Sequence, residues 1–293
     1  MNDLHARFHA LTPQFSADWD LSRNVTAYAT VGKGFRLGSE NAPVPLYGDP
    51  NANPNTPGVN SSRADLRALG LTSAPESVNP DSLWNYEIGI KSAPLHRHLL
   101  LDASAFYIRW TDIQQTVDLI SSGYSFEANA GSATSKGLEL AAKAIIPGGF
   151  SLQLSTGYTH ATLDSGVVIN GHIVNNTFPG EDVPAVPRWN GNLNGEYDFA
   201  LRGLQMFVRA EATYVGSSHG TLVTTDPDYS RPSYSVYQAS MGATVGRYDI
   251  RVFAKNLTNN DKIIQRPDII NAGYDVGYRI TPRIIGANVS VAF

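Results

Sequence analysis

LQMFVRAEATY, residues 204–214, decides the fold. Leu204, Met206, Val208, Ala210, Ala212 and Tyr214 occupy one parity, and Gln205, Arg209, Glu211 and Thr213 the other. Successive side chains of a β-strand project to opposite faces, so the segment turns an apolar face one way and a charged, hydrogen-bonding face the other. The first face suits lipid and the second a wet lumen, which is the alternation of a membrane-spanning strand.

The neighbouring segments repeat it. Trp189, Gly191, Leu193, Gly195 and Tyr197 alternate with Asn190, Asn192, Asn194 and Glu196. Tyr237, Ala239, Met241, Ala243 and Val245 alternate with Gln238, Ser240, Gly242 and Thr244, and Ile250, Val252 and Ala254 with Asp249, Arg251 and Lys255. Upstream, Phe15, Ala17 and Trp19 oppose Asp18 and Asp20, and Trp84, Tyr86, Ile88 and Ile90 oppose Asn85, Glu87 and Lys91. Residues 24–36 leave their facing open, and residues 106–110 are apolar on both faces.

Eleven such segments are expected, over residues 8–21, 24–36, 82–92, 99–118, 125–146, 150–163, 185–199, 204–216, 232–245, 248–264 and 278–293. They read as an all-β, antiparallel, up-and-down transmembrane β-barrel, because only a closed barrel of such strands satisfies its backbone inside a bilayer. An odd count makes the first and last strands run the same way. The expectation is therefore an open half-barrel with two free edges, or a parallel seam.

Composition narrows the function. With a mean hydropathy of -0.20 and 42% hydrophobic residues, no run approaches the roughly 18 apolar residues of a membrane helix. A net charge of -4, from 22 basic and 26 acidic residues, offers no polyanion-binding surface and sets nucleic acid aside as a partner. The absence of cysteine fits passage through an oxidising periplasm. Residues 1–10, MNDLHARFHA, contain no basic run followed by an apolar core, so no secretory signal is read there.

The connections orient the strands. Those at residues 21–24, 93–98, 147–149, 200–203 and 246–247 are short, whereas 37–81, 164–184, 217–231 and 266–277 are long, and 119–124 is the short member of the second set. Short turns belong on the periplasmic side and long loops outside. Aromatic residues near strand ends, Trp19, Trp84, Trp110, Trp189, Tyr158, Tyr197, Tyr214 and Phe293, read as girdles at the two bilayer interfaces.

Several short motifs now carry a resemblance. They are Gly34-Phe35-Arg36 followed by Asn41; Asn85-Tyr86-Glu87-Ile88-Gly89-Ile90-Lys91; Ala105-Phe106-Tyr107 with Thr111-Asp112-Ile113-Gln114; Asn129-Ala130-Gly131 leading to Lys136-Gly137-Leu138-Glu139-Leu140; Pro187-Arg188-Trp189; Lys255-Asn256-Leu257-Thr258; and a terminal strand ending on Phe293. In that order and spacing the chain resembles the carboxyl-terminal half of the barrel of TonB-dependent outer-membrane receptors. The resemblance implies half of a barrel of about 22 strands, the bacterial outer membrane as location, and uptake of a ferric siderophore or similar scarce ligand. It also implies TonB as a partner, engaged through an amino-terminal plug domain that this sequence lacks, so TonB would act only where the full-length protein supplies the plug. The barrel-assembly machinery, reading the terminal aromatic Phe293, and the surrounding lipid are further implied partners.

No HExxH, GxSxG, phosphate-binding loop or EF-hand loop is present, and nothing calls for a cofactor or an enzyme. His96 and His98 read as a solvated turn rather than a metal site, and Asp226 and Asp228 as loop carboxylates too few to hold a hard cation. Arg188, Arg209, Glu211, Asp249, Arg251 and Lys255 are expected as lumen charges that pair across strands or touch a plug. Ligand-binding candidates lie towards the outer mouth: Arg36, Tyr47, Tyr124, His172, His219, Tyr229 and Tyr274, whose rings and charges suit an anionic iron chelate. The alternatives are an outer-membrane barrel hydrolase, using Asp164 with His172 or Asp226 with His219, and a receptor remnant without transport.

Overall fold

The computed structural model describes residues 8–46, 59–94, 98–119, 121–166, 168–174, 177–222, 224, 226–266 and 277–291. Eleven strands form one antiparallel sheet in chain order: β1 (Gln14–Ser22), β2 (Val25–Arg36), β3 (Asp81–Ser92), β4 (Leu99–Thr111), β5 (Ser132–Ile146), β6 (Phe150–Ser165), β7 (Trp189–Leu201), β8 (Leu204–Val215), β9 (Tyr234–Val245), β10 (Tyr248–Lys255) and β11 (Ile284–Val291). Among the described residues, β1 pairs only with β2 and β11 only with β10, so the sheet is open. No helix among them is long and apolar enough to cross a membrane.

Register converts the alternation into two faces. Ala17, Ala29, Ile88, Ala105, Leu138, Tyr158 and Trp189 stand in one row across seven strands. Tyr197, Val208, Met241, Val252 and Ala287 make another from β7 across the remaining four. The large members of these rows are exposed, Ile88 at 63% and Val208 at 42%, with no protein layer over them. An apolar sheet face of this size bare to water would be an aggregation surface; in a bilayer it is solvated by lipid. The facing of β2, open in the sequence, is settled by pairing: Ala27 meets Trp19 and Ile90, and Ala29 meets Ala17 and Ile88, so its alanines face lipid.

The five short connections join the strands at one end of the sheet and the five long ones at the other. At 202–203 both residues have positive φ, 53° for Arg202 and 81° for Gly203, the two-residue hairpin turn whose twist matches that of the strands it joins.

Several strands are shorter than the alternation suggests, and each break has a local cause. Residues 8–13 stay outside β1, because Pro13 has no N–H to add to the ladder and offers only its carbonyl, to Lys33 N at 2.9 Å. Residues 185–188 precede β7, with Ala185 at φ 62° and Pro187 beside it. β10 stops at Lys255 because Asn256 turns to φ 50°. β11 starts only at Ile284, since Pro282 separates it from Tyr278–Arg279, which pair instead with Ile263–Gln265 in a small ribbon.

The largest difference concerns residues 99–118 and 125–146, expected as two continuous strands. Asp112 at φ 55° and Gly131 at φ 85° break them, and Gln114–Leu119 with Tyr124–Asn129 forms a separate hairpin above the sheet. That hairpin packs on a helix, Val59–Ala68, from the loop between β2 and β3. The helix ends by a glycine cap: Gly70 has φ 69°, and Leu71 N donates to Leu66 O at 2.9 Å. Leu66, Val117, Leu119, Phe126, Ala130 and Val174 form a buried core drawn from three external loops. A second, smaller core of Ile113, Ala133 and Leu163 takes in Trp110. Packing against this core removes Trp110 from the lipid girdle. Most of the buried hydrophobic side chains among the described residues therefore lie in the cap of external loops rather than within the sheet.

Candidate functional site

The site has a wall and a mouth. The wall is the polar face of β8–β11, where strand parity places Arg209, Glu211, Asp249, Arg251 and Lys255 together around a recess of about 600 Å³. Arg209 Nε donates to Glu196 Oε2 at 2.6 Å, directly across the β7–β8 pair. Glu211 accepts Asn192 Nδ2 at 2.7 Å, and Asp249 accepts Thr244 Oγ1 at 2.7 Å. The cations rest on rings: the Arg251 guanidinium is 6.0 Å from the Phe207 centroid and Lys255 Nζ 5.7 Å from that of Phe253. These rings cover strand glycines. A Cβ on Gly242 would sit 2.6 Å from Phe207 Cε1 and 2.7 Å from Ile250 O, so the close ring-on-backbone packing requires glycine there.

Arg188 is placed differently from the other five. Its Nη2 lies 3.0 Å from both oxygens of Asp182, and Asp182 Oδ1 also approaches His160 Nε2 at 3.8 Å. His160 shares the outward parity of Tyr158, so this ion pair sits beside the lipid-facing rim rather than in the lumen. The aspartate raises the Arg188 pKa further, fixing its charge.

The mouth is built by clasps at the outer strand ends. Arg36, at the end of β2, donates to the buried Asp81 carboxylate through Nε at 3.1 Å and Nη2 at 2.5 Å, and to Gln114 O at 3.1 Å. Its guanidinium lies 5.5 Å from the Trp110 centroid, yet half of the side chain stays exposed. Asn41 donates to Pro75 O at 3.0 Å and Glu127 O at 2.8 Å and accepts Glu127 N at 2.7 Å, tying the first long loop to the hairpin. Asn129 holds Asn79 and Asp112 in the same way, and the buried Asn256 bridges Asn260 and Thr281. The motif residues Arg36, Asn41, Asn129 and Asn256 are thus architectural, each saturating backbone groups where a strand gives way to a loop.

Of the mouth candidates, His219 and Tyr229 are brought together. Their rings are 4.5 Å apart and His219 Nδ1 lies 3.0 Å from Tyr229 O, in the loop between β8 and β9. Tyr124 packs against the cap core, and His172 stands exposed in the small hairpin of residues 168–173. Tyr47, Tyr274, Phe293 and His96 lie outside the described residues. Asp228, expected as a loop carboxylate, is nearly buried: Arg231 Nη2 donates to it at 2.5 Å and Arg266 N at 2.8 Å, joining two external loops. Burial pushes this carboxyl up, but the arginine and the backbone donor outweigh it and hold the pKa below its ordinary value. Asp226 accepts Asp228 N at 2.7 Å. No group of three or more potential metal ligands occurs among the described residues. The role of Asp228 as a loop-to-loop clasp was missed in sequence; its only local signal was Arg231 three positions on.

Comparison with known proteins matches this architecture. Residues 2–259 match the family described as TonB dependent receptor-like, beta-barrel. The ferric yersiniabactin uptake receptor of Yersinia pestis superposes with a TM-score of 0.69 at 21% identity, over 96% of this chain and 37% of that one. The ferripyoverdine receptor of the outer membrane of Pseudomonas aeruginosa gives 0.63 at 17% identity, over 95% and 32%, and a copper transporter 0.62 at 16%, over 96% and 39%. The chain therefore spans between about a third and two-fifths of the proteins whose fold it shares, and they are receptors and transporters rather than enzymes. With the match running over most of the chain, and the open antiparallel sheet and its two unlike faces beneath it, the protein belongs to the TonB-dependent receptor β-barrel family.

Proposed function

We propose that this chain forms the carboxyl-terminal wall and mouth of an outer-membrane receptor that imports a ferric siderophore or a similar scarce ligand. Family membership puts it in the bacterial outer membrane. The single observation carrying the reading is the family match over residues 2–259, on a sheet whose apolar rows face lipid and whose charged face lines a recess. In this reading a plug from the full-length protein docks on Arg209, Glu211, Asp249, Arg251 and Lys255 and is released by TonB, and Phe293 is read by the barrel-assembly machinery. Ligand is met first at the cap, by His172 and the exposed half of Arg36; His219 and Tyr229 hold their own loop. The reading carries no catalytic step: among the described residues Asp164 accepts Thr134 Oγ1 at 2.8 Å and His219 Nδ1 lies 3.0 Å from Tyr229 O, and no hydrogen bond joins Asp164 to His172 or Asp226 to His219.

The full-length protein should bind at least one member of a panel of ferric catecholate, hydroxamate and carboxylate chelates and restore iron-limited growth to a receptor-deficient strain. Failure on both counts overturns the siderophore reading. Hydrolysis of casein or phospholipid that disappears in His172→Ala or His219→Ala would replace it with the hydrolase.

A further inference from the structure

The chain contains three Asn-Gly dipeptides, at residues 170–171, 190–191 and 194–195. An asparagine amide is lost most easily in this pair, because glycine has no side chain to obstruct its own backbone nitrogen as it closes on the asparagine Cγ. Closure also needs a backbone free to turn and an N–H free of other bonds. The fold separates the three dipeptides on those terms.

Asn190 and Asn194 lie in β7, paired on one side with Gly157 and Gln153 of β6 and on the other with Val215 and Glu211 of β8. A strand between two ladders keeps its backbone extended and its N–H groups engaged, so ring closure there requires the sheet to open. Asn170 and Gly171 are instead the exposed turn of the small hairpin of residues 168–173, outside its ladder pairs Val168 with Ile173 and Ile169 with His172. Both have positive φ, 48° and 84°, and a Cβ on Gly171 would meet nothing within 4 Å.

The Asn170 side chain also fastens one external loop to another. Its Nδ2 donates to Leu69 O at 3.3 Å and to Gly70 O at 3.2 Å, carbonyls just past the end of the helix Val59–Ala68, where the negative end of the helix dipole lies. On either side of this clasp, Ile169 and Val174 pack in one core with Leu66 and Leu69. An amide suits the position because its nitrogen donates. A carboxylate has no donor and would set its charge against two carbonyl oxygens.

We propose that Asn170 is a site of spontaneous deamidation whose product unlatches the hairpin of residues 168–173 from the helix. The deprotonated Gly171 nitrogen attacks Asn170 Cγ; the new C–N bond closes a succinimide ring as the Cγ–Nδ2 bond breaks, and Nδ2 departs with a proton from water as ammonia. Water then adds to either ring carbonyl and opens it, leaving aspartate or, with the backbone routed through the side chain, isoaspartate. The balance is one water consumed and one ammonia released. The amide must leave Leu69 and Gly70 for the ring to close, and the product has no donor with which to return, so each conversion is one-way. No imported ligand takes part, so the site stands apart from the importer reading.

The test holds full-length protein in detergent micelles in warm, mildly alkaline buffer and follows the peptides carrying residues 170, 190 and 194 by the mass gain of amide-to-acid exchange. Asn170 should convert at least roughly tenfold faster than Asn190 or Asn194, because β7 must open first and the turn need not. In the urea-unfolded chain the three should convert at similar rates. Equal rates in the folded protein, or the same preference for Asn170 in urea, overturns selection by the fold. Hydrogen exchange reads the unlatching: Asn170→Asp should speed the amides of residues 69–71 and 168–174 by roughly fivefold, the worth of one net hydrogen bond. The converted fraction of the wild type should show the same change, which keeps the test available if the variant does not fold. Unchanged exchange in the converted wild type overturns the latch.

Discussion

The sheet and the external cap are two solutions to burial in one chain. In the sheet, Ile88 and Val289 are 63% and 60% exposed and owe their stabilisation to lipid. In the cap, Leu66 and Phe126 are 0% and 3% exposed and packed against protein as in an ordinary core. The sheet takes its regularity from a repeating ladder with one bonding pattern. The cap has no repeat, and joins segments from three loops through Leu66, Val117, Phe126 and Val174 and through clasps such as Asn41 and Arg36. The ferric yersiniabactin uptake receptor and the copper transporter share this fold with the chain at 21% and 16% identity.

Two substitutions sharpen the contrast. Phe126→Ala should cost the cap about 3–5 kcal/mol, the usual figure for emptying a buried aromatic site. Hydrogen exchange should speed across residues 114–129 and 59–68 while sheet amides stay protected; if the sheet exchanges with the cap, the two are one cooperative unit and the comparison fails. Ile88→Lys should cost roughly 2–4 kcal/mol in urea unfolding from liposomes, because a cation would enter hydrocarbon in mid-strand. Ser104→Lys, on the polar face opposite Glu139, should shift stability by less than about 0.5 kcal/mol. Equal costs at the two positions would mean that the apolar rows do not face lipid.

The same difference governs how far each region is legible in sequence. A strand states its facing within about six residues, so 204–214 alone reveals a wall, and register then follows from neighbouring strands of the same kind. The cap offers no such period. Leu66 and Val174 reach one core from loops separated by four strands of the sheet, and nothing local announces it. The hairpin of residues 114–129 looked like continued strand because its residues alternate too; only Asp112 and Gly131, in left-handed conformations, detach it. At the site, parity alone places Arg209, Glu211, Asp249, Arg251 and Lys255 on one face, whereas Arg188 lies outside any strand and its partner Asp182 decides its place.

Asp81→Ala tests the seam between the two regions. It leaves Gln114 N and the Arg36 guanidinium without their shared acceptor, and should cost about 1–3 kcal/mol, less than a fully buried pair because half of Arg36 is in solvent. The effect should appear as earlier proteolysis of the hairpin of residues 114–129. Loss confined to β2 and β3 amides would assign the clasp to the wall instead.

The smallest effect is a pH dependence in the loop joining β8 and β9. Asp228 has a folded pKa below its ordinary value of 3.8 because Arg231 and the Arg266 N–H favour the carboxylate more than burial opposes it. A depressed folded pKa contributes stability that is fully present above the unfolded value and is lost as pH falls through the folded one. Exchange protection of the amides at Ser218–His219 and Ser230–Arg231 should therefore be flat from neutral pH down to about 4, then fall as the carboxyl protonates and releases Arg231. Asp228→Asn should start lower and lose that acid limb. Protection of the cap hairpin at 114–129, which Asp228 does not touch, should hold through the same range; if both fall together, the loops share one acid transition and the mouth behaves as a single body.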